Sequence, residues 1–87
     1  MSQYAAVFTD SFKKAVKQFK NHSEVSDRLR KKTKEICEDP LHFKPLSNVM
    51  KGQRRTHIGS YVLTFMVDEN EWTVTFLNFQ HHDDVYK

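Results

Sequence analysis

Five of the 87 residues are histidine, and three of them, His57, His81 and His82, fall in the C-terminal part of the chain. Histidine is the side chain whose unperturbed pKa places proton transfer near neutral pH. Two of them, one accepting a proton while the other donates, make a working acid–base set. Lys51, Arg54 and Arg55 stand close to His57 in the chain, and such cations suit a phosphodiester. RNA brings its own nucleophile, the 2′-OH. A protein acting on it need only deprotonate that oxygen, protonate the leaving 5′-oxygen and stabilise charge on the phosphorane. That chemistry requires no cofactor.

The spacing limits which residues meet. His81 and His82 are adjacent, so an extended chain points them to opposite faces and only one joins His57. Tyr86 offers a ring on which a base can stack; equally, it tucks against a sheet edge. An exposed histidine on a strand usually has no chemical role. A zinc site from Cys37, His57 and His82 lacks the spacing of known ligand sets, so no metal is expected.

These groups need elements to hold them. Tyr4–Phe8 is a short apolar run that reads as a strand. Thr9, Asp10 and Ser11 follow, any of which can cap a helix. Phe12, Ala15, Val16 and Phe19 recur with helical periodicity, and lysines occupy the other sides. Ser23 is the expected cap of a second helix, about Glu24 to Cys37, with Val25, Leu29 and Ile36 as its apolar stripe. Pro40 ends it. Leu41–Gly52 reads as a connection. From Gln53 the period becomes two, with Arg55 and His57 on one face and Arg54, Thr56 and Ile58 on the other. Tyr61–Asp68 and Trp72–Phe79 read as a hairpin across a polar turn. Phe65, Trp72, Phe76 and Phe79 are expected in its core. The order β-α-α-β-β-β gives an α+β fold: a mostly antiparallel sheet with an N-terminal helical hairpin packed on one face. The other face stays open to water, where polar residues can do chemistry.

Length and composition agree with one domain over residues 1–87. No apolar run reaches the roughly 18–20 residues that span a membrane. The start, MSQYAAVFTD, lacks the basic and apolar regions of a secretory signal. A single cysteine forms no internal disulfide, and the cytoplasm is the expected compartment. The net charge of +3 hides an asymmetry: residues 1–55 carry +7 and residues 56–87 carry −4. The basic part suits a polyanion or an acidic protein partner; it is also what two lysine-rich solvent faces would give.

Four segments together resemble the RelE/ParE superfamily of type II toxins. VFTDSFKKAVKQF is similar to that family's opening strand and helix, and ICEDPLHFKPL to its helix end and following K-x-L segment. RRTHIGSYVLTFMVD resembles its R-I-R-I-G-x-Y hairpin, and LNFQHHDDVYK its closing segment. Three positions depart from the pattern: His57, Val62 and His82 stand where typical members have arginine. The histidines resemble those of the YafQ-like branch. Arg54–Arg55–Thr56–His57 matches its R-x-x-H segment, and His82 stands four residues before the closing aromatic Tyr86. An aspartate used by that branch has no counterpart at Gly59–Ser60–Tyr61.

The resemblance implies a ribosome-dependent mRNA endoribonuclease that cleaves message in the ribosomal A site and so inhibits translation. His57 and His82 are the implied acid–base pair, Arg55, Arg54 and Lys51 the phosphate ligands, and Tyr86 the residue that orients or stacks the substrate. It also implies a cognate antitoxin, whose C-terminal region folds on the toxin to form a hetero-oligomer. Two other readings share the fold: a ParE-like DNA gyrase inhibitor without nuclease activity, and a catalytically inactive antitoxin-binding module.

Overall fold

The computed structural model describes residues 3–42 and 53–81. The chain runs β1 (Ala5–Phe8), α1 (Asp10–Lys17), α2 (Ser23–Glu38), a single 3-10 turn (Pro40–His42), β2 (Gln53–Ile58), β3 (Tyr61–Asp68) and β4 (Thr73–His81). The four strands form one sheet in the order β1-β4-β3-β2. The contacts β2–β3 and β3–β4 are antiparallel, while β1 runs parallel to β4. The expected α+β architecture is therefore present.

Each element has a local cause. Thr9 caps α1: its Oγ1 accepts from the Phe12 amide at 3.2 Å and donates to the Phe76 carbonyl at 2.9 Å. The hydroxyl thus satisfies one of the helix's orphan N–H groups and ties the β1–α1 junction to β4. The cap expected at Ser23 is not made. His22 takes that position without a side-chain hydrogen bond, and Ser23 is the first residue of α2. Three residues on, Ser26 Oγ instead donates to the Phe19 carbonyl at 2.9 Å and closes the inter-helix turn.

The hairpin turns follow their residues. Gly59 has φ of +61° at the first central position of the two-residue β2–β3 turn, a conformation that glycine adopts without strain. Between β3 and β4, Asp68 Oδ1 accepts from the amides of Asn70 at 3.0 Å and Glu71 at 3.1 Å, an Asx turn. Trp72 ends that turn with φ of +55° and is half exposed, with its ring on Tyr4. This corrects the core placement expected for Trp72. The chain needs a left-handed residue before it can enter β4, which takes the indole out of the strand's alternation.

The core lies between the helices and one face of the sheet. Leu63, Phe65, Val74, Phe76 and Ile36 are fully buried in it. Phe8, Phe12 and Phe76 form one ring cluster with centroids 5.5–5.6 Å apart. Phe19, Tyr61 and Phe79 form a second, with centroids 4.9–5.3 Å apart. Large rings give a short chain much buried area per ordered residue.

One irregularity sets which β4 residues face which way. Phe65 pairs with Phe76 and Thr64 with Asn78, so Leu77 is an extra residue in β4, a β-bulge. Before it the even residues Val74 and Phe76 face the helices. After it Phe79 and His81 do, opposite Leu63 and Tyr61.

Candidate functional site on the open sheet face

Cross-strand register defines the face turned away from the helices. One row across it is His57, Val62 and Gln80; the next is Arg55, Thr64 and Asn78. His57, Asn78 and Gln80 are exposed, Arg55 and Thr64 partly so, and Val62 is buried at the centre. The face therefore has an apolar floor ringed by an imidazole, a guanidinium, a hydroxyl and two carboxamides. Such a set can bind a phosphodiester, hydrogen-bond to it and move a proton.

β2 supplies the charged members for a simple reason. It is an edge strand with period-two alternation, so Arg55 and His57 share one face two residues apart. Arg54 lies opposite Phe65, on the helix-covered face, and so does not join them from the same side. His81 is likewise excluded: its ring meets Tyr61 edge-on, with centroids 5.4 Å apart, on the helix side. Lys51, His82 and Tyr86 lie outside the described residues.

Cys37 is buried in the helix-side core, on the other side of the sheet from His57, so these two do not share a site. Burial pushes the Cys37 thiol above its ordinary pKa, which makes it a poor nucleophile and a poor thiolate ligand. Among the described residues no group of three or more His, Cys, Asp or Glu could hold a metal ion. No helix among them is long and apolar enough to cross a membrane.

Sequence reading missed Asn78 and Gln80 as members of this face. By simple alternation from the buried Phe76 they would turn toward the helices. The bulge at Leu77 reverses them, and an extra residue in a strand leaves little trace in a hydrophobic pattern.

Comparison with known proteins places this geometry in a family. Residues 6–86 match the model of the ParE toxin of the parDE type II toxin–antitoxin system. A stretch of 60 residues, 68% of the chain, is 48% identical to a Methanocaldococcus jannaschii protein whose name places it among RelE toxins. That match spans 64% of the relative, less than two thirds of its length. The fold is similar to a chain of the RelBE2 toxin–antitoxin complex of Mycobacterium tuberculosis, with TM-score 0.80 and 22% identity over 93% of both chains. It is also similar to a chain of the E. coli DinJ–YafQ toxin–antitoxin complex, with TM-score 0.79 and 16% identity, covering 98% of this chain and 99% of that one. The family model spans nearly the whole chain and the structural likeness is of the same extent; the chain belongs to the RelE/ParE superfamily of type II toxins.

Proposed function

We propose that this toxin is a ribosome-dependent mRNA endoribonuclease. The observation that carries the reading is the shared placement of His57 and Arg55 on the open, polar face of the sheet. In the reaction one imidazole takes the proton of the 2′-OH. The 2′-oxygen attacks phosphorus, and the second imidazole protonates the 5′-oxygen as the P–O5′ bond breaks, leaving a 2′,3′-cyclic phosphate. Arg55 stabilises the charge that develops on the non-bridging oxygens.

His82 is assigned as the second imidazole. His81 supports this by elimination, since its ring is engaged with Tyr61 on the helix side. Lys51 is assigned to a flanking phosphate and Tyr86 to orienting or stacking the substrate; Arg54, on the helix-covered face, is left out of the site. The ribosome supplies the ordering of the message that so few groups do not provide. A cognate antitoxin covers the toxin between episodes of activity; the two structural relatives above are each found in a toxin–antitoxin complex.

The test is cleavage of mRNA on programmed ribosomes by wild type, His57→Ala and His82→Ala. Loss of cleavage in both variants supports the pair, and cleavage by either variant at the wild-type rate removes that residue from it. The match to a ParE model favours one other reading, inhibition of DNA gyrase by binding. Growth arrest with DNA-damage signalling and intact message would establish that reading instead. Expression without any growth arrest would leave an antitoxin-binding module lacking catalysis.

A further inference from the structure

The open face of the sheet changes character along its strands. On the side of Arg55 away from His57, the next row is Gln53, Met66, Thr75 and Val7, one residue from each strand. Met66 is 36% exposed and Val7 44%; Thr75 stands between them, half-buried. Single exposed apolar side chains are ordinary on a protein surface. Here two of them flank a threonine in one row, so that an apolar shelf about 10 Å wide runs from β3 to β1.

The shelf adjoins the candidate site through a regular ladder. Arg55 pairs with Thr64 and Gln53 with Met66, in one unbroken register from Gln53 to Ile58. Met66 is therefore the diagonal neighbour of Arg55 on the same face, about 7–8 Å away. Beyond the shelf the next row is Asp68, Thr73 and Ala5, and Asp68 is an exposed carboxylate. A cation on the edge strand and an anion at the hairpin end decide how a polyanion lies here. Its phosphates keep to β2 beside Arg55, and its bases turn inward over β3 and β4.

A nucleobase suits such a shelf. The thioether of methionine makes favourable contact with an aromatic ring, and its unbranched chain adapts to the ring's position. Contact with the face of a base also tolerates any sequence, since every base has a π-face. A protein partner would need about 800 Å² on this side, which two exposed apolar side chains beside a charged row do not supply. We propose that Met66, Thr75 and Val7 form a platform for the base of the unpaired nucleotide next to the scissile phosphate. The proposal rests on the ribonuclease reading above and adds to it a subsite that positions the substrate. Met66 holds the nucleotide so that its phosphate stays beside Arg55 and His57, and no proton passes through it.

The experiment has two arms. In the first, cleavage of message on programmed ribosomes is followed at increasing concentrations of wild type, Met66→Thr, Val7→Thr and Met66→Leu. Threonine suits an exposed strand position, and a thermal melt checks that each variant is folded. Met66→Thr should raise the concentration for half-maximal rate about two- to tenfold, by the same factor whichever base flanks the cut, with the maximal rate unchanged. Val7→Thr should do the same more weakly, and Met66→Leu should stay near wild type. An unchanged half-maximal concentration in Met66→Thr overturns the platform, as does a fall confined to the maximal rate. So does a Met66→Thr protein that cleaves normally and has lost only affinity for a protein partner. In the second arm, the isolated protein carries a methyl label on its three methionines, and the Met66 signal is identified by its loss in Met66→Thr. Titration with the four homotrinucleotides should shift that methyl with every base, through the ring current of the base above it. Absence of a shift with all four overturns the platform. If wild type cleaves no message, the ribonuclease reading fails, and the second arm still decides whether the shelf holds a base.

Discussion

The two faces of the sheet are built from the same strands to opposite ends. On the helix side, Leu63, Phe65, Val74 and Phe76 are closed off from water, and ring meets ring across β3 and β4. On the open side, the same strands carry Thr64, Asn78 and Gln80 beside Arg55 and His57 of β2. The difference teaches where a chain of 87 residues keeps its stability and where it keeps its chemistry. Small domains bury a limited share of their surface. Placing Phe65, Phe76 and Phe79 on one side leaves the other free to hold polar groups that contribute little to folding.

This division can be broken from either side. The largest effect is expected on the open face, where His57→Ala should lower mRNA cleavage about 10²–10⁴-fold while the melting temperature stays within a few degrees of wild type. Cleavage kinetics together with a thermal melt check both halves of that statement. On the covered face, Phe76→Ala should cost about 3–5 kcal/mol through lost burial and the cavity left between Phe8, Phe12 and Phe65. Denaturant unfolding measures this, and an effect under about 1 kcal/mol would show that the ring cluster is not the centre of the core.

Smaller effects sharpen the boundary between the regions. Thr9→Ala removes a cap and a bond to β4, so a loss of about 1–2 kcal/mol is expected in the same unfolding experiment. Thr9→Ser keeps the hydroxyl and should recover most of it. Glu24→Gln breaks the exposed pair with Arg28, 3.1 Å apart on α2. Its expected cost is below about 0.5 kcal/mol, and smaller still in high salt. A larger loss would mean that the Arg28 side chain, which lies near Gly59, is holding the β2–β3 turn as well.

Much of this was legible in the residues, and the reasons differ by element. The helices and strands announced themselves because their apolar periods, 3.6 and two, are set by backbone geometry. The pairing of Arg55 with His57 on one face followed from the same rule. Trp72 departs from the core position its type suggests, because β propensity describes a ring that fits a pleat and does not register that a turn must close at this residue. The placement of Asn78 and Gln80 is not legible in the residues because a bulge shifts alternation by one residue, and only the partner strand reveals it. The parallel pairing of β1 with β4 was beyond local reading, since it joins residues more than 60 positions apart.

The hydroxyl of Thr9 has a dynamic consequence. It serves α1 as an acceptor and β4 as a donor, at the point where β1 ends and the bulge begins. A structure opens in cooperative units, and a group shared by three elements merges their units into one. The amides of α1, β1 and the middle of β4 should therefore exchange with deuterium as a single block. In a Thr9→Ala protein that block should divide, with α1 exchanging ahead of the strands it now leaves behind.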